Sequence, residues 1–264
     1  MNFLFITTTQ NRTSPKCKLP VLLDSIRHAL TNVPDIRVKV VCVSQLDSDS
    51  TYIREEMPRC SIEIVGNKSS LSLSAARNLA LRHMKQSNEE LSSYDLVGFP
   101  DDDCAYGAET LLILKDYAER RCIAILKHGA EAIGTADHAK IRLDRAVKIT
   151  SSNVMFFCGR IATNDDLFSE HYGLGGHLGS GEDVDYLIRV WRREVPELIS
   201  VDFAVIHPRK KGRQERYYRG NVALLKANVD LPGFRYLLCR QLAVGVMLVA
   251  QRRLKGDDFV KSWQ

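Results

Sequence analysis

Strand-like and helix-like patterns alternate through the first hundred residues, and this alternation constrains the chain more than any other feature. Phe3–Thr7 reads as a strand, Leu19–Leu30 as a helix, Arg37–Ser44 (RVKVVCVS) as a strand, Ile62–Val65 as a short strand, Ser74–Lys85 as a helix and Asp95–Phe99 as a strand. β-Branched apolar runs separated by amphipathic helices predict an α/β fold, a doubly wound, mostly parallel sheet flanked by helices. Such sheets bind ligands in the crevice beyond the carboxyl ends of their strands. Three polar clusters fall there: TTTQNR at 7–12, SQLDSD at 44–49 and PDDD at 100–103.

Farther along, a helix is expected over about Ala108–Arg121, then the strand CIAIL, then a less regular stretch to about residue 150. ITSSNVMFFCGRI reads as a strand pair or a strand and turn, and a glycine-rich loop, GLGGHLGSG, feeds a helix starting near Glu182. LISVDFAVIHP reads as a strand ending at His207. Past Pro208 the character changes: six basic residues lie between Arg209 and Arg219, followed by helices.

Composition narrows the partners. With 37 basic and 32 acidic residues the chain carries a formal +5, too weak a bias for a dedicated nucleic-acid binder but compatible with anionic ligands. Seven scattered cysteines form no C-x-x-C pair, which argues against a zinc or redox centre and for reduced thiols in a cytoplasmic protein. The apolar N-terminus lacks a basic leader and a cleavage site. Leu237–Ala250 is apolar, but it contains Arg240 and Gln241 and falls short of the roughly 20 residues that a membrane-spanning helix needs.

Asp101, Asp102 and Asp103 follow a predicted buried strand directly. Adjacent carboxylates raise one another's pKa and destabilise the fold unless a cation neutralises them, and Mg²⁺ or Mn²⁺ with its preference for oxygen ligands does this. For an isolated triplet an acidic turn capping the next helix is the plainer explanation, but the position behind a buried strand of a nucleotide-binding type of sheet favours the cation. Glu182 and Asp183 open a helix whose N-terminal dipole favours ionised carboxylates able to accept a proton, although capping by Ser180 with acids in the first turn explains the same pattern. The glycines before them do not match G-x-G-x-x-G. Arg77 reads either as a phosphate ligand or as a solvated helix residue, and His207 either as a ligand or as a hydrogen-bonded structural residue.

Taken in order, TTTQNR, SLSAARNLAL, FPDDDCAY, GLGGHLGSGEDVDYLIRVWR and VIHPRKKGRQERYYRGN resemble the family-2 glycosyltransferases of the GT-A fold, over about residues 3–225. FPDDDC with the later HP and YYRGN is similar to the branch that builds bacterial surface polysaccharides, such as O-antigen or capsule. The resemblance implies a GT-A catalytic domain over 1–207, with a nucleotide-sugar half to about 106 and an acceptor half after it, and a basic, helical extension over 208–264. It implies that Thr9 and Arg12 shape the nucleotide pocket, that Asp47 or Asp49 faces the base, and that Arg77 reaches toward the diphosphate. Asp101 and Asp103 match the D-x-D motif, with Asp103 on the metal, Asp101 and Asp102 toward the ribose, and the choice of the two metal-touching acids left open. Asp183 matches the catalytic base with Glu182 orienting the acceptor, and His207 matches a histidine used as a further metal ligand.

The expected activity is an inverting, Mn²⁺- or Mg²⁺-dependent transfer from a nucleoside-diphosphate sugar, UDP favoured, to a hydroxyl of a glycan or lipid-diphosphate-linked glycan. Metal on one side of the sugar and base on the other imply in-line displacement. The basic tail and the apolar segment after it are expected to contact the anionic cytoplasmic face of the inner membrane. Two rivals are a sugar nucleotidyltransferase, disfavoured because TTTQNRTSPKCK lacks glycine, and a binding module that has lost catalysis, disfavoured because Asp103 and Asp183 are both present.

Overall fold

The computed structural model describes residues 1–47, 52–207 and 214–263. Asp49 and the basic run 209–213 lie outside the described residues.

Chain order is β1 (Asn2–Thr9), α1 (Leu19–Leu30), β2 (Arg37–Gln45), β3 (Tyr52–Met57), β4 (Cys60–Asn67), α2 (Leu73–Gln86), β5 (Leu96–Gly98), α3 (Thr110–Ala118), β6 (Cys122–Gly129), β7 (Gly134–Lys140), α4 (Leu143–Ile149), β8 (Met155–Cys158), α5 (Glu182–Glu194) and β9 (Glu197–Ile206). Three helices close the chain: α6 (Gln214–Ala227), α7 (Phe234–Ala250) and α8 (Gly256–Trp263). Among the described residues the strands form one sheet of nine, in the order β3-β4-β2-β1-β5-β8-β6-β9-β7.

The four strands β4-β2-β1-β5 are parallel, as their continuous apolar runs predict. Phe3, Leu4, Phe5 and Ile6 of β1 are fully buried, and each contributes roughly 1.5–3 kcal/mol by leaving water. The chain winds outward from β1 through β2 to β4, then returns to place β5 on the other side of β1. That reversal makes a switch point between the carboxyl ends of β1 and β5, where Thr9 and the acidic triplet emerge. At the centre of the sheet Gly98 leaves room for two rings: a Cβ there would lie 3.0 Å from Phe5 and 3.1 Å from Phe156.

The second half is mixed. β8 runs antiparallel between β5 and β6, while β9 runs parallel to β6 and antiparallel to the edge strand β7. β7 and α4 occupy the stretch read from the pattern as irregular. β7 (GTADHAK) is exposed along its whole length, so no alternation of apolar and polar residues marks it. The helix expected over Ala108–Arg121 is shorter, Thr110–Ala118. Beyond β5 the chain folds back on the end of β9: Ala105 N–H donates to Ile206 O and Ile206 N–H to Ala105 O, at 2.9 and 3.0 Å. This isolated bridge carries His207 to the acidic triplet from over a hundred residues away.

No helix among the described residues is long and apolar enough to cross a membrane.

Candidate active site

Four segments converge at the switch point: the end of β1, the turn after β5, the start of α5 and the end of β9. On the β1 side, Arg12 Nε donates to Asp47 Oδ2 at 2.6 Å, and Arg12 N–H donates to Ser44 Oγ at 3.2 Å, so the loop after β1 is tied to the end of β2. Asp47 is buried. The pKa of Asp102 is raised chiefly by burial and then by Asp103 and Asp101, with the nearby Thr9 side chain opposing.

Asp101 and Asp103 face His207 instead. His207 Nε2 lies 3.2 Å from Asp103 Oδ1 and 3.7 Å from Asp101 Oδ2, and one ligating atom from each residue lies within 4.8 Å of the other two. Two carboxylates and an imidazole so arranged fit a single divalent cation. Among the described residues no other group of three His, Cys, Asp or Glu side chains is spaced for a metal.

Arg77 lies underneath. Ser72 caps α2 by accepting from Ala75 N–H at 3.2 Å, which sets the helix phase so that Ala76, Arg77, Ala80, Leu81 and Met84 turn inward. Arg77 is 1% exposed, so it is not a solvated helix residue. Its guanidinium sits 5.2 Å over the Phe168 ring, which stacks on Tyr186 at 4.3 Å. One terminal nitrogen donates to Phe99 O and to Asp101 Oδ1, both at 3.3 Å, and the other lies 3.9 Å from Glu182 Oε1. A buried guanidinium is stable only beside counter-charges, and Asp101 and Glu182 supply them.

Helix α5 begins after Gly181, whose φ of +96° suits a residue without a Cβ, and this glycine rather than Ser180 is the N-cap. Ser180 Oγ donates to Tyr217 O at 3.2 Å instead, fastening the loop to α6. Asp183 is held at both oxygens: Ser152 N–H donates to Oδ2 at 3.2 Å and Val184 N–H to Oδ1 at 2.8 Å. The helix N-terminus favours the ionised acids, but burial outweighs it. Burial raises the pKa of Asp183. Glu182 is pushed up to about 7, first by burial and then by Asp183, with Arg77 pulling the other way.

This architecture is shared with solved structures. S. aureus TarS 1-349 in complex with UDP-GlcNAc is 17% identical, with a TM-score of 0.54 over 85% of this chain and 66% of that one. The mannosyltransferase PcManGT from Pyrobaculum calidifontis, in complex with GDP-Man and Mn²⁺, is 14% identical, with a TM-score of 0.57 over 94% and 75%.

The chain has the GT-A fold.

It spans 64% of TarS 1-349 and 43% of the longer TarS structure. No protein-family model and no curated protein sequence matches it.

Within the GT-A sheet, the contacts that lock the two acidic clusters together come from a segment with no distinctive spacing. A 3₁₀ turn, Ser152–Val154, precedes β8. Its Asn153, 2% exposed, accepts from Asp101 N–H at 2.5 Å and donates to Asp101 Oδ2 at 2.9 Å, while the neighbouring Ser152 holds Asp183. Just before it, Ser151 Oγ lies 2.7 Å from His128 Nε2, and the His128 ring lies 5.5 Å from that of His207. The SSN tripeptide thus touches or backs every carboxylate cluster of the site. Partners of metal-binding carboxylates typically contribute 10- to 100-fold in affinity. Asn153→Ala is therefore expected to weaken Mn²⁺ binding by about tenfold or more, measured by electron paramagnetic resonance titration. Affinity within twofold of the parent would show that Asp101 is set by Arg77 alone.

A carboxyl whose folded-state pKa lies above its unfolded value holds its proton more tightly in the native state, so stability is highest at low pH and falls as pH rises through that window. For Glu182 the window runs from 4.5 to about 7. The metal-free protein is expected to lose on the order of 3 kcal/mol from this group across that range. Glu182→Gln should flatten the decline in Tm between pH 5 and 8, and an unchanged slope would assign the titration to other groups.

Proposed function

We propose that this chain is an inverting, metal-dependent glycosyltransferase of the family-2 type, which moves a sugar from a nucleoside-diphosphate sugar to an acceptor hydroxyl. One observation carries the reading: the cation-competent trio Asp101, Asp103 and His207 sits at the switch point of a GT-A sheet, with Asp183 anchored to the residue beside Asn153, the partner of Asp101. The donor half is residues 1 to about 106, and the acceptor half runs to 207.

Asp103, Asp101 and His207 hold the divalent cation, and a mixed set of carboxylates and imidazole suits Mn²⁺ better than Mg²⁺. When bound, the cation supplies positive charge against the departing nucleoside diphosphate. Thr9 and Asp102 meet at the ribose side, and Arg12 presents Asp47 to the base. Arg77, buried beneath the acids, fixes Asp101 and Glu182 rather than lying open to solvent. Asp183 takes the proton from the acceptor hydroxyl as it attacks, and its raised pKa brings it nearer to the working pH of a general base. Glu182 orients the acceptor.

The donor carries UDP, the pathway is bacterial surface-polysaccharide synthesis, and the acceptor is a glycan or lipid-diphosphate-linked glycan met at the cytoplasmic face of the inner membrane. Support for that last step is the tail's basic sequence and the outward-facing apolar residues of α7. The neighbours that bind UDP-GlcNAc and GDP-Man in their solved structures make both nucleotides the controls to include.

The test is a panel of nucleotide sugars offered to the purified protein with Mn²⁺, Mg²⁺ or EDTA. Turnover of one donor, dependent on the cation and giving the inverted anomer in early NMR spectra, is the expected result. Turnover indifferent to EDTA removes the metal assignment, and a retained configuration removes the base assignment.

A further inference from the structure

A cavity of about 280 Å³ opens between α4, the first turn of α5, α6 and α7. Val147, Val184, Leu224 and Leu237 give it apolar side chains, Asn221 and Gln241 give it neutral polar ones, and two cations, Lys148 and Arg240, stand in its lining, which contains no carboxylate. Both cations are exposed, and among the described residues neither lies within ion-pair distance of a carboxylate. Lys148 Nζ lies 5.7 Å over the ring of Tyr236.

A second cavity, of about 310 Å³, supplies the contrast. It also contains two cations, Lys140 and Arg142, but these pair with Glu197 and Asp144 of the same lining. Of these two cavities, the one beside α7 combines apolar side chains with cations that no carboxylate of its lining pairs.

Its position ties it to the acceptor side of the site. Val184 directly follows Asp183, and α4 leads within three residues to Ser152, whose N–H holds the Asp183 carboxylate. α7 supplies Leu237 and Arg240 to the cavity and turns Tyr236, Leu242, Val246 and Met247 outward, each 43–66% exposed. α7 therefore lines the cavity with one face and exposes apolar side chains on others.

We propose that this cavity is a subsite for a lipid phosphate, which takes the alkyl chain against Val147, Val184, Leu224 and Leu237 and the phosphate on Lys148 and Arg240. The proposal deepens the transferase reading by giving its acceptor a lipid anchor, and rests on that reading only for the word acceptor. A free sugar would leave the apolar wall unused, and inorganic phosphate would leave it unused as well. Burial of methylenes against the apolar side chains adds to the charge-assisted contacts of the phosphate, so the amphiphile satisfies both parts of the lining.

The experiment is calorimetric titration of the full chain with n-decyl phosphate below its micellar concentration, with decyl maltoside and inorganic phosphate as comparators, repeated on the double variant Lys148→Ala, Arg240→Ala. Both positions are exposed, and an unchanged Tm would verify that the variant folds. Decyl phosphate is expected to bind about tenfold or more tightly than either comparator, and the double variant to lose about tenfold or more of that affinity. Equal binding of decyl maltoside, equal binding of inorganic phosphate, no binding at all, or an unaffected double variant each overturns the subsite. A parallel nucleotide-sugar titration with Mn²⁺ separates the two readings. Donor binding without decyl phosphate binding removes the subsite and leaves the transferase, whereas the reverse removes the transferase and leaves a lipid-phosphate site.

Discussion

Asp183→Asn should lower turnover by about 10³-fold while leaving donor affinity within threefold of the parent, because general-base catalysis typically contributes 10²–10⁴-fold. The substitution preserves shape and keeps one oxygen to accept a backbone N–H. It removes the ability to take a proton. In the parent both oxygens are occupied by N–H donors from Ser152 and Val184, which fixes the carboxylate in one orientation at the helix start. Asparagine must turn its amide toward one of these two donors, so a modest fall in Tm is expected as well, and donor affinity is the control that separates misplacement from lost chemistry. Stopped assays with saturating donor and acceptor measure the first quantity, and calorimetry measures the second. Activity within tenfold of the parent would mean that another group takes the proton, and Glu182, with its pKa near 7, would be next to test. Loss of donor affinity in proportion to turnover would instead give Asp183 a structural part in the donor site.

How much of this was visible in the residues alone depends on how local the signal is. β1, β2, β4 and β5 announce themselves because parallel strands buried on both faces are continuous apolar runs, and the polar residues that end them mark the crevice. β7 carries no such mark, since all of it is exposed, and β8 is only four residues long. Within the site, Asp101, Asp103 and Asp183 stand out as acids next to an apolar strand or a glycine-rich loop. The burial of Arg77 does not stand out: an arginine in SLSAARNLAL looks like any helix-surface arginine, and the partners that hold it inside, the Phe168 ring, Asp101 and Glu182, are all distant in the chain. Asn153 was invisible for a related reason. An asparagine before a strand is ordinary turn chemistry, and its bond to Asp101 spans 52 residues of chain. His207 lies between these cases. Its residue type was readable as a ligand, but its approach to Asp103 depends on the Ala105–Ile206 bridge, a long-range pairing that no periodicity reports.

Asp103→Ala should remove both cation and donor, and a rise in metal-free stability should accompany the loss. In the parent three consecutive carboxylates share one turn, and Asp103 and Asp101 both raise the pKa of Asp102. Removing one relieves that repulsion, so the metal-free variant should melt at or above the parent temperature. Against this, the cation loses one of its two carboxylates, and the other, Asp101, is already engaged by Arg77 and Asn153. Mn²⁺ affinity should therefore fall by about 10²-fold or more. A ligand present at 100 times its Kd stabilises a protein by about 2.7 kcal/mol, so a concentration of Mn²⁺ that raises the parent's Tm by several degrees should leave that of the variant unmoved. Opposite signs in the two conditions distinguish a cation site from a structural role, because a carboxylate that merely capped the turn would destabilise the protein with or without metal when replaced. If Asp103→Ala melts lower in EDTA and still responds to Mn²⁺, the acidic triplet is a capping device and the cation belongs elsewhere. If the expected pair of signs appears, the repulsion among Asp101, Asp102 and Asp103 has a physical reason: it is the stability given up by the empty turn for the charge it later holds.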